Sequence, residues 1–186
     1  MKNLKTGVVG LGRLGRVHAH NIRYQIPGAE LTAVCSIVPA ELEYARSELG
    51  VAAVYADYKE MLAHADMDAV VIVTTSSEHC WQIEAALDAG KHVFSEKPLG
   101  VDAAQCKQAE AAVERHPELT FMLGFMRRYD KSYAYAKEKI DAGAIGTPYL
   151  VKATGIDPEA FVDGAIRFAK NSGGIFLDMA IHDIDL

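Results

Sequence analysis

Thr6-Gly7-Val8-Val9-Gly10-Leu11-Gly12-Arg13-Leu14-Gly15-Arg16 decides how this chain is read. It runs as a buried strand, a glycine turn and the opening of a helix. Gly10, Gly12 and Gly15 fit G-x-G-x-x-G. The first glycine permits a tight turn, the second lets a pyrophosphate approach the backbone, and the third lets helix pack on strand. The free N–H groups of the helix N-terminus then face the phosphates. Glycine-rich turns also arise for steric reasons alone. Context favours dinucleotide binding, because Val8 and Val9 precede the turn and Val17 to Ile26 continue it with helical spacing. Gly10, Gly12, Arg13, Leu14 and Gly15 are therefore cofactor-binding candidates.

Working outward, 186 residues exceed a typical single domain and fall short of two complete ones. The expectation is one full domain over 1–124 and the beginning of another over 125–186. With 50% of residues hydrophobic the chain can fill a core, and no apolar run approaches the ~20 residues that span a bilayer. Met1 to Thr6 leads straight into the strand with no apolar export segment, which gives the expectation of a cytoplasmic location. Cys35, Cys80 and Cys106 are widely spaced and contain no C-x-x-C, so they read as reduced packing residues rather than a disulfide framework or zinc site. A net charge of -6 without a basic run argues against nucleic acid and for a small polar ligand.

Beyond the first helix, strands and helices alternate. Glu30 to Cys35 reads as a strand, Pro39 to Leu49 as a helix with proline in its first turn, and Val54-Tyr55 as a short strand. Asp57 to Glu60 resembles a capping box, and Asp68 to Thr74 is a near-continuous β-branched run suited to a parallel sheet covered on both faces. A helix over Glu78 to Ala89, a strand over His92 to Glu96, a helix capped by Asp102 and a strand over Thr120 to Gly124 complete the series. Such alternation through short loops predicts an α/β fold, a doubly wound parallel sheet. After Gly124 the pattern changes. Lys131 to Ala142 looks helical, Tyr149 to Ile156 alternates as a strand of a different sheet, Asp157 to Ser172 reads as irregular, and an apolar helix follows Gly173-Gly174. The chain stops inside that helix without a cap, so a fragment of a longer protein is expected.

Ligands of open α/β sheets bind outside the carboxyl ends of the strands. At the second strand an acid is expected about 20 residues after the glycines to hold the adenosine ribose, but Ser36, Ile37 and Val38 stand there and the nearest acids, Glu41 and Glu43, belong to the next helix. Two readings remain: Ser36 and backbone groups hold the ribose of NAD, or Ser36 and Arg13 receive the 2′-phosphate of NADP, with NAD preferred. Thr74, Thr75 and His79 follow the fourth strand and are placed to touch the cofactor, although His79 equally suits packing at a helix N-terminus. In Ser95-Glu96-Lys97-Pro98, an ammonium near a nicotinamide can hold a substrate hydroxyl with Glu96 as its charge partner, or the two form a plain surface ion pair. Asp178 and His182 lie at i, i+4 on the last helix. Histidine there can accept a hydroxyl proton while the carboxylate orients it. The alternatives are a simple surface pair, a partly buried satisfied histidine, or half a metal site with Asp183 or Asp185, for which no third ligand stands at convincing spacing.

With these residues placed, the chain resembles the glucose-fructose oxidoreductase, inositol dehydrogenase and MocA family of NAD(P)-dependent oxidoreductases. Gly10 to Gly15 matches its fingerprint, Glu96-Lys97-Pro98 its E-K-P, Gly124-Phe125-Met126-Arg127-Arg128-Tyr129-Asp130 a string similar to that of myo-inositol 2-dehydrogenases, and Gly173 to Asp185 its G-G…D-x-x-x-H-x-x-D signature. The resemblance implies a Rossmann-type first domain followed by the start of an α+β domain, incomplete here. It also implies a catalytic group of Lys97, Asp178 and His182, cofactor contacts at the residues above including Glu96, and substrate contacts at Arg127 and Asp157. His182 is then the general base, Asp178 its orienting partner or a hydroxyl ligand, and Lys97 positions the reacting hydroxyl. The implied reaction oxidises a secondary alcohol of a cyclic polyol, passing hydride to nicotinamide. Another sugar substrate, or nucleotide binding without turnover, stand as alternatives. Family members are nearly twice as long, and a homo-oligomer is expected of the full-length protein.

Overall fold

The computed structural model describes residues 3–156, 158–169 and 172–186, without the side chains of 161, 165 and 167–169. They form two compact units, Met1–Leu123 and Gly124–Leu186. In the first, strands β1 (Leu4–Val9), β2 (Ala29–Cys35), β3 (Ala53–Tyr55), β4 (Ala69–Ile72), β5 (His92–Ser95) and β6 (Phe121–Leu123) make one sheet. Its order is β3-β2-β1-β4-β5-β6, and every neighbouring pair is parallel. The order reverses between β1 and β4, which puts the ligand crevice of a doubly wound sheet beyond the end of β1.

Successive strand residues point to opposite faces, and both faces are apolar. Val8, Val34 and Val71 pack with Ala19, Ile22, Ala45 and Leu49 from helices α1 (Arg13–Tyr24) and α2 (Pro39–Ser47) and the residues just after them. Val9, Cys35, Val70, Ile72 and Val93 pack on the other face with Met61, Ile83, Ala86, Leu87 and Ala112. These come from helices α3 (Tyr58–His64), α4 (Ser76–Asp88) and α5 (Ala103–Arg115). Helix starts follow local chemistry: Asp57 accepts from the Glu60 N–H, Asp102 accepts from the Gln105 N–H, and Pro39 occupies the first turn of α2.

The second unit differs from expectation in two places. Tyr149 to Ile156 carries no β pairing. A strand exists only where its N–H and C=O groups meet a neighbour, and the described residues of this unit contain no other strand. Within 157–172, expected to be irregular, residues Glu159–Phe161 form a 3-10 turn that runs into helix α7 (Val162–Ala169). Helix α6 (Lys131–Asp141) is capped by Asp130, which accepts from the Ser132 and Tyr133 N–H groups. After the glycines the chain enters a π-helical turn, Phe176–Ala180, that continues into α8 (Ile181–Asp185). No helix among the described residues is long and apolar enough to cross a membrane.

Candidate functional site

The glycine turn separates what the fold needs from what it leaves open. Gly10 has φ +86°, and a Cβ there would lie 2.5 Å from the Val73 carbonyl oxygen. A Cβ on Gly15 would lie 1.9 Å from the Gly10 carbonyl oxygen. Both positions are therefore closed by backbone. Gly12 is the N-cap of α1, and a Cβ there would meet nothing within 4 Å. Arg13 and Leu14, in the first turn of α1, are exposed beside it. The N-cap has no side chain to satisfy the first N–H groups of the helix, which leaves them directed outward.

At the end of β2 the turn and the second strand are joined: the Gly10 N–H donates to Cys35 O at 2.9 Å, and the Ser36 N–H donates to Tyr55 O at 3.1 Å. Ser36 is buried, and its hydroxyl donates to the Glu41 carboxylate while accepting from the Val38 N–H. An acid therefore does stand at the end of β2, reaching back from the first turn of α2 rather than forward from the strand. The spacing rule looks for it on the strand, and so passes over it.

Beyond β4 and β5, Thr74 Oγ1 donates to Gln82 Oε1 at 2.6 Å, and Thr75 is the exposed N-cap of α4. Glu96 Oε1 lies 2.9 Å from Nε2 of His18, whose ring packs at 5.5 Å on Phe94. His18 drew no expectation, since a partner 78 residues away leaves no local pattern. Lys97 follows Glu96 and is half-buried. His79 is only 1% exposed, with Nδ1 2.7 Å from Pro98 O and Nε2 3.2 Å from Thr74 O. It ties the loop after β4 to the loop after β5, with both nitrogens facing backbone carbonyls, which favours the packing alternative for this ring.

Burial holds the His79 pKa below its ordinary 6.5, against the raising influence of the Pro98 and Thr74 carbonyls. The ring is neutral in the folded chain at neutral pH, and the shorter contact fits a proton on Nδ1. Above 6.5 neither state carries the extra proton; as pH falls past 6.5 the unfolded chain takes it up first, so stability declines toward the lowered folded pKa. Urea unfolding of wild type and His79→Gln at about pH 7.5 and about pH 5.5 checks this. Wild type should lose more stability on acidification than the variant, and equal losses would refute a buried neutral ring.

In the second unit, Asp178 lies on the π-helical turn and His182 on α8, so the two are carried by one continuous helical segment. His182 is 9% exposed and meets Phe125 edge-on, ring centroids 6.5 Å apart at 86°. Arg127 pairs with Asp183 and sits 5.6 Å over the Tyr133 ring. Arg128 donates through Nε to Asp185 at 2.8 Å. Asp183 and Asp185, considered for a metal, are thus held by guanidinium groups, and no cluster of three or more metal-ligating side chains occurs among the described residues. Asp157, expected to contact substrate, lies outside the described residues.

Comparison with known proteins agrees with the fold. Residues 4–125 match the GFO/IDH/MocA oxidoreductase family with an NAD-binding Rossmann fold, and residues 133–186 match the GFO/IDH/MocA C-terminal domain. The scyllo-inositol 2-dehydrogenase (NAD(+)) of Bacillus subtilis (strain 168) is 40% identical over 183 residues, which cover 98% of this chain and 52% of that protein. The crystal structure of scyllo-inositol dehydrogenase from Lactobacillus casei with bound cofactor NAD(H) and scyllo-inositol is 53% identical, with a TM-score of 0.93 over 99% of this chain and 55% of that one. That of myo-inositol 2-dehydrogenase from Lactobacillus plantarum is 42% identical, with a TM-score of 0.94 over 99% and 55%. The chain spans about half the length of the curated relatives it matches. The strand order, the glycine turn and the family match over most of the chain have one conclusion: this chain belongs to the GFO/IDH/MocA family of oxidoreductases.

Proposed function

We propose that the chain binds NAD(H) and serves an oxidoreductase that converts a secondary alcohol of an inositol-like cyclic polyol to a ketone. The observation that carries the cofactor reading is the open space over Gly12. The protein's own packing requires glycine at 10 and 15, whereas at 12 a side chain would meet nothing in the chain and would fill the approach to the helix N-terminus. A pyrophosphate is the ligand that needs this space and these N–H donors. The substrate reading rests on the inositol dehydrogenases among the relatives.

Each unit supports its own part of the chemistry. Lys97 supplies an ammonium directly after β5, on a loop braced by His79, where it can hold a substrate hydroxyl. His182 accepts the hydroxyl proton, and Asp178, on the same helical segment, orients it or binds a neighbouring hydroxyl. A π-helical turn next to a catalytic pair is a frequent association. Arg127 and Asp157 contact the polyol; the Asp183 carboxylate fixes the Arg127 guanidinium, which offers five donors in all. The nicotinamide, when bound, receives the hydride. Free thiols at Cys35, Cys80 and Cys106 suit a cytoplasmic protein, and exposed Tyr149, Leu150, Val151 and Ile156 suit an apolar contact in a homo-oligomer.

Titration of NADH into wild type and Gly12→Ala tests the reading. Glycine is preferred to alanine at an N-cap by about 1 kcal/mol, and the added Cβ meets nothing, so the melting midpoint should fall by only about 2–5 °C with the protein still folded. NADH affinity should fall at least about tenfold, because the methyl occupies the pyrophosphate approach. Equal affinity in the two proteins, or no saturation by a folded wild type, would remove the cofactor reading and the oxidoreductase with it.

A further inference from the structure

The expected strand-end acid is missing from Ser36-Ile37-Val38, yet the structure brings a carboxylate to that place. Glu41, in the first turn of α2, accepts a hydrogen bond from the Ser36 hydroxyl. Ser36 is itself fixed on three sides: its N–H donates to Tyr55 O, its Oγ accepts from the Val38 N–H, and the preceding Cys35 carbonyl holds the Gly10 N–H of the glycine turn. The carboxylate is thus tied through one buried serine to the first glycine of the phosphate loop. Its Oε1 takes no part in the bond to Ser36. Beside it, Ile37 is 88% exposed and Val38 43% exposed, an apolar ledge on a loop that has no folding reason to show apolar groups.

We propose that Glu41, held by Ser36, reads the adenosine ribose in place of a strand-end acid, and that this makes the site select NAD(H) over NADP(H). The inference rests on the dinucleotide reading above and adds the residue that sets which dinucleotide is taken. A free carboxylate oxygen accepts from ribose hydroxyls, and the same charge repels a 2′-phosphate. Ser36, the donor that a phosphate would need, has its hydroxyl proton committed to Glu41. Of the cations on α1, Arg13 is exposed in the first turn, and Arg16 is engaged elsewhere: its Nε donates to Leu11 O at 3.3 Å and its guanidinium lies 4.4 Å over the Tyr44 ring. The exposed Ile37 and Val38 suit the face of an adenine, with the polar ribose falling toward Glu41.

The test is calorimetric titration of NADH and NADPH into wild type, Glu41→Gln and Ser36→Ala, with melting midpoints recorded for each. Wild type should favour NADH by at least about tenfold, the scale of one charge-assisted hydrogen bond exchanged for one repulsion. Glu41→Gln keeps the shape and removes the charge, so it should weaken NADH, strengthen NADPH, and shrink the ratio about tenfold or more. Ser36→Ala leaves the carboxylate in place but loosens it, weakening NADH by a smaller factor without improving NADPH to the same degree. An unchanged ratio in folded Glu41→Gln, or a wild type that prefers NADPH, overturns this inference and leaves dinucleotide binding standing. A folded wild type that binds neither overturns both.

Discussion

The proposed polyol oxidation should fall about 10²- to 10⁴-fold in kcat when His182 is replaced by alanine, the range a positioned general base supplies. Affinity for NADH should stay within about twofold, since the glycine turn and the Ser36–Glu41 pair lie in the other unit. The expectation follows from the environment of the ring: 9% exposed, edge-on to Phe125, and joined to Asp178 through the π-helical turn. Burial against Phe125 limits the orientations open to the imidazole, as suits a positioned base. Lys97→Ala should reduce kcat comparably by removing the ammonium that lowers the cost of the developing alkoxide. The pH profile separates the roles. Loss of the base removes the acid limb of kcat, and loss of the ammonium lowers the rate across the profile. A His182→Ala protein with wild-type kcat would end the general-base assignment.

Gly15→Ala should destabilise the chain by about 3 kcal/mol or more, the upper range for inserting a methyl into packed structure. The added Cβ would stand 1.9 Å from the Gly10 carbonyl oxygen and 2.8 Å from its carbon. Both atoms are backbone, so no side-chain rotation relieves the overlap and α1 must withdraw from β1. A melting midpoint lowered by roughly 6–12 °C is the readout. The contrast with Gly12→Ala separates a steric glycine from a ligand glycine within one turn. If Gly15→Ala melted within about 2 °C of wild type, the close approach of α1 to the end of β1 would be wrong.

Much of the first unit was legible because its signals are local. Val8-Val9 before three glycines, the β-branched run from Val70 to Val73, and Asp57 and Asp102 ahead of helices all act within a few residues, and the structure has an element at each. Tyr149 to Ile156 failed for the opposite reason. Alternation describes which face a strand would bury, but pairing needs a second strand, and alternation contains no information on whether one is present. Residues 162–169 were read as irregular because Gly164 and flanking turn residues hid a helical run of apolar spacing.

The site divides along the same line. Glycines at fixed spacing, an acid and a histidine four residues apart, and a lysine after a strand are properties of a short string; the glycines pointed to a dinucleotide, and the polyol reading came with the family resemblance. Partners brought from afar were not readable: His18 with Glu96 across 78 residues, and Arg127 with Asp183 across 56. Nor was the direction of a side chain, so His79 could be numbered among the loop residues but not seen to face inward. Glu41 lay in plain view, and only the first turn of α2 folding back on Ser36 made it a strand-end carboxylate. Periodicity, caps and glycine sterics are short-range forces written into neighbouring residues. Hydrogen-bond partnership and burial are set by which chain segments the sheet order brings together, and that order is a property of the whole fold.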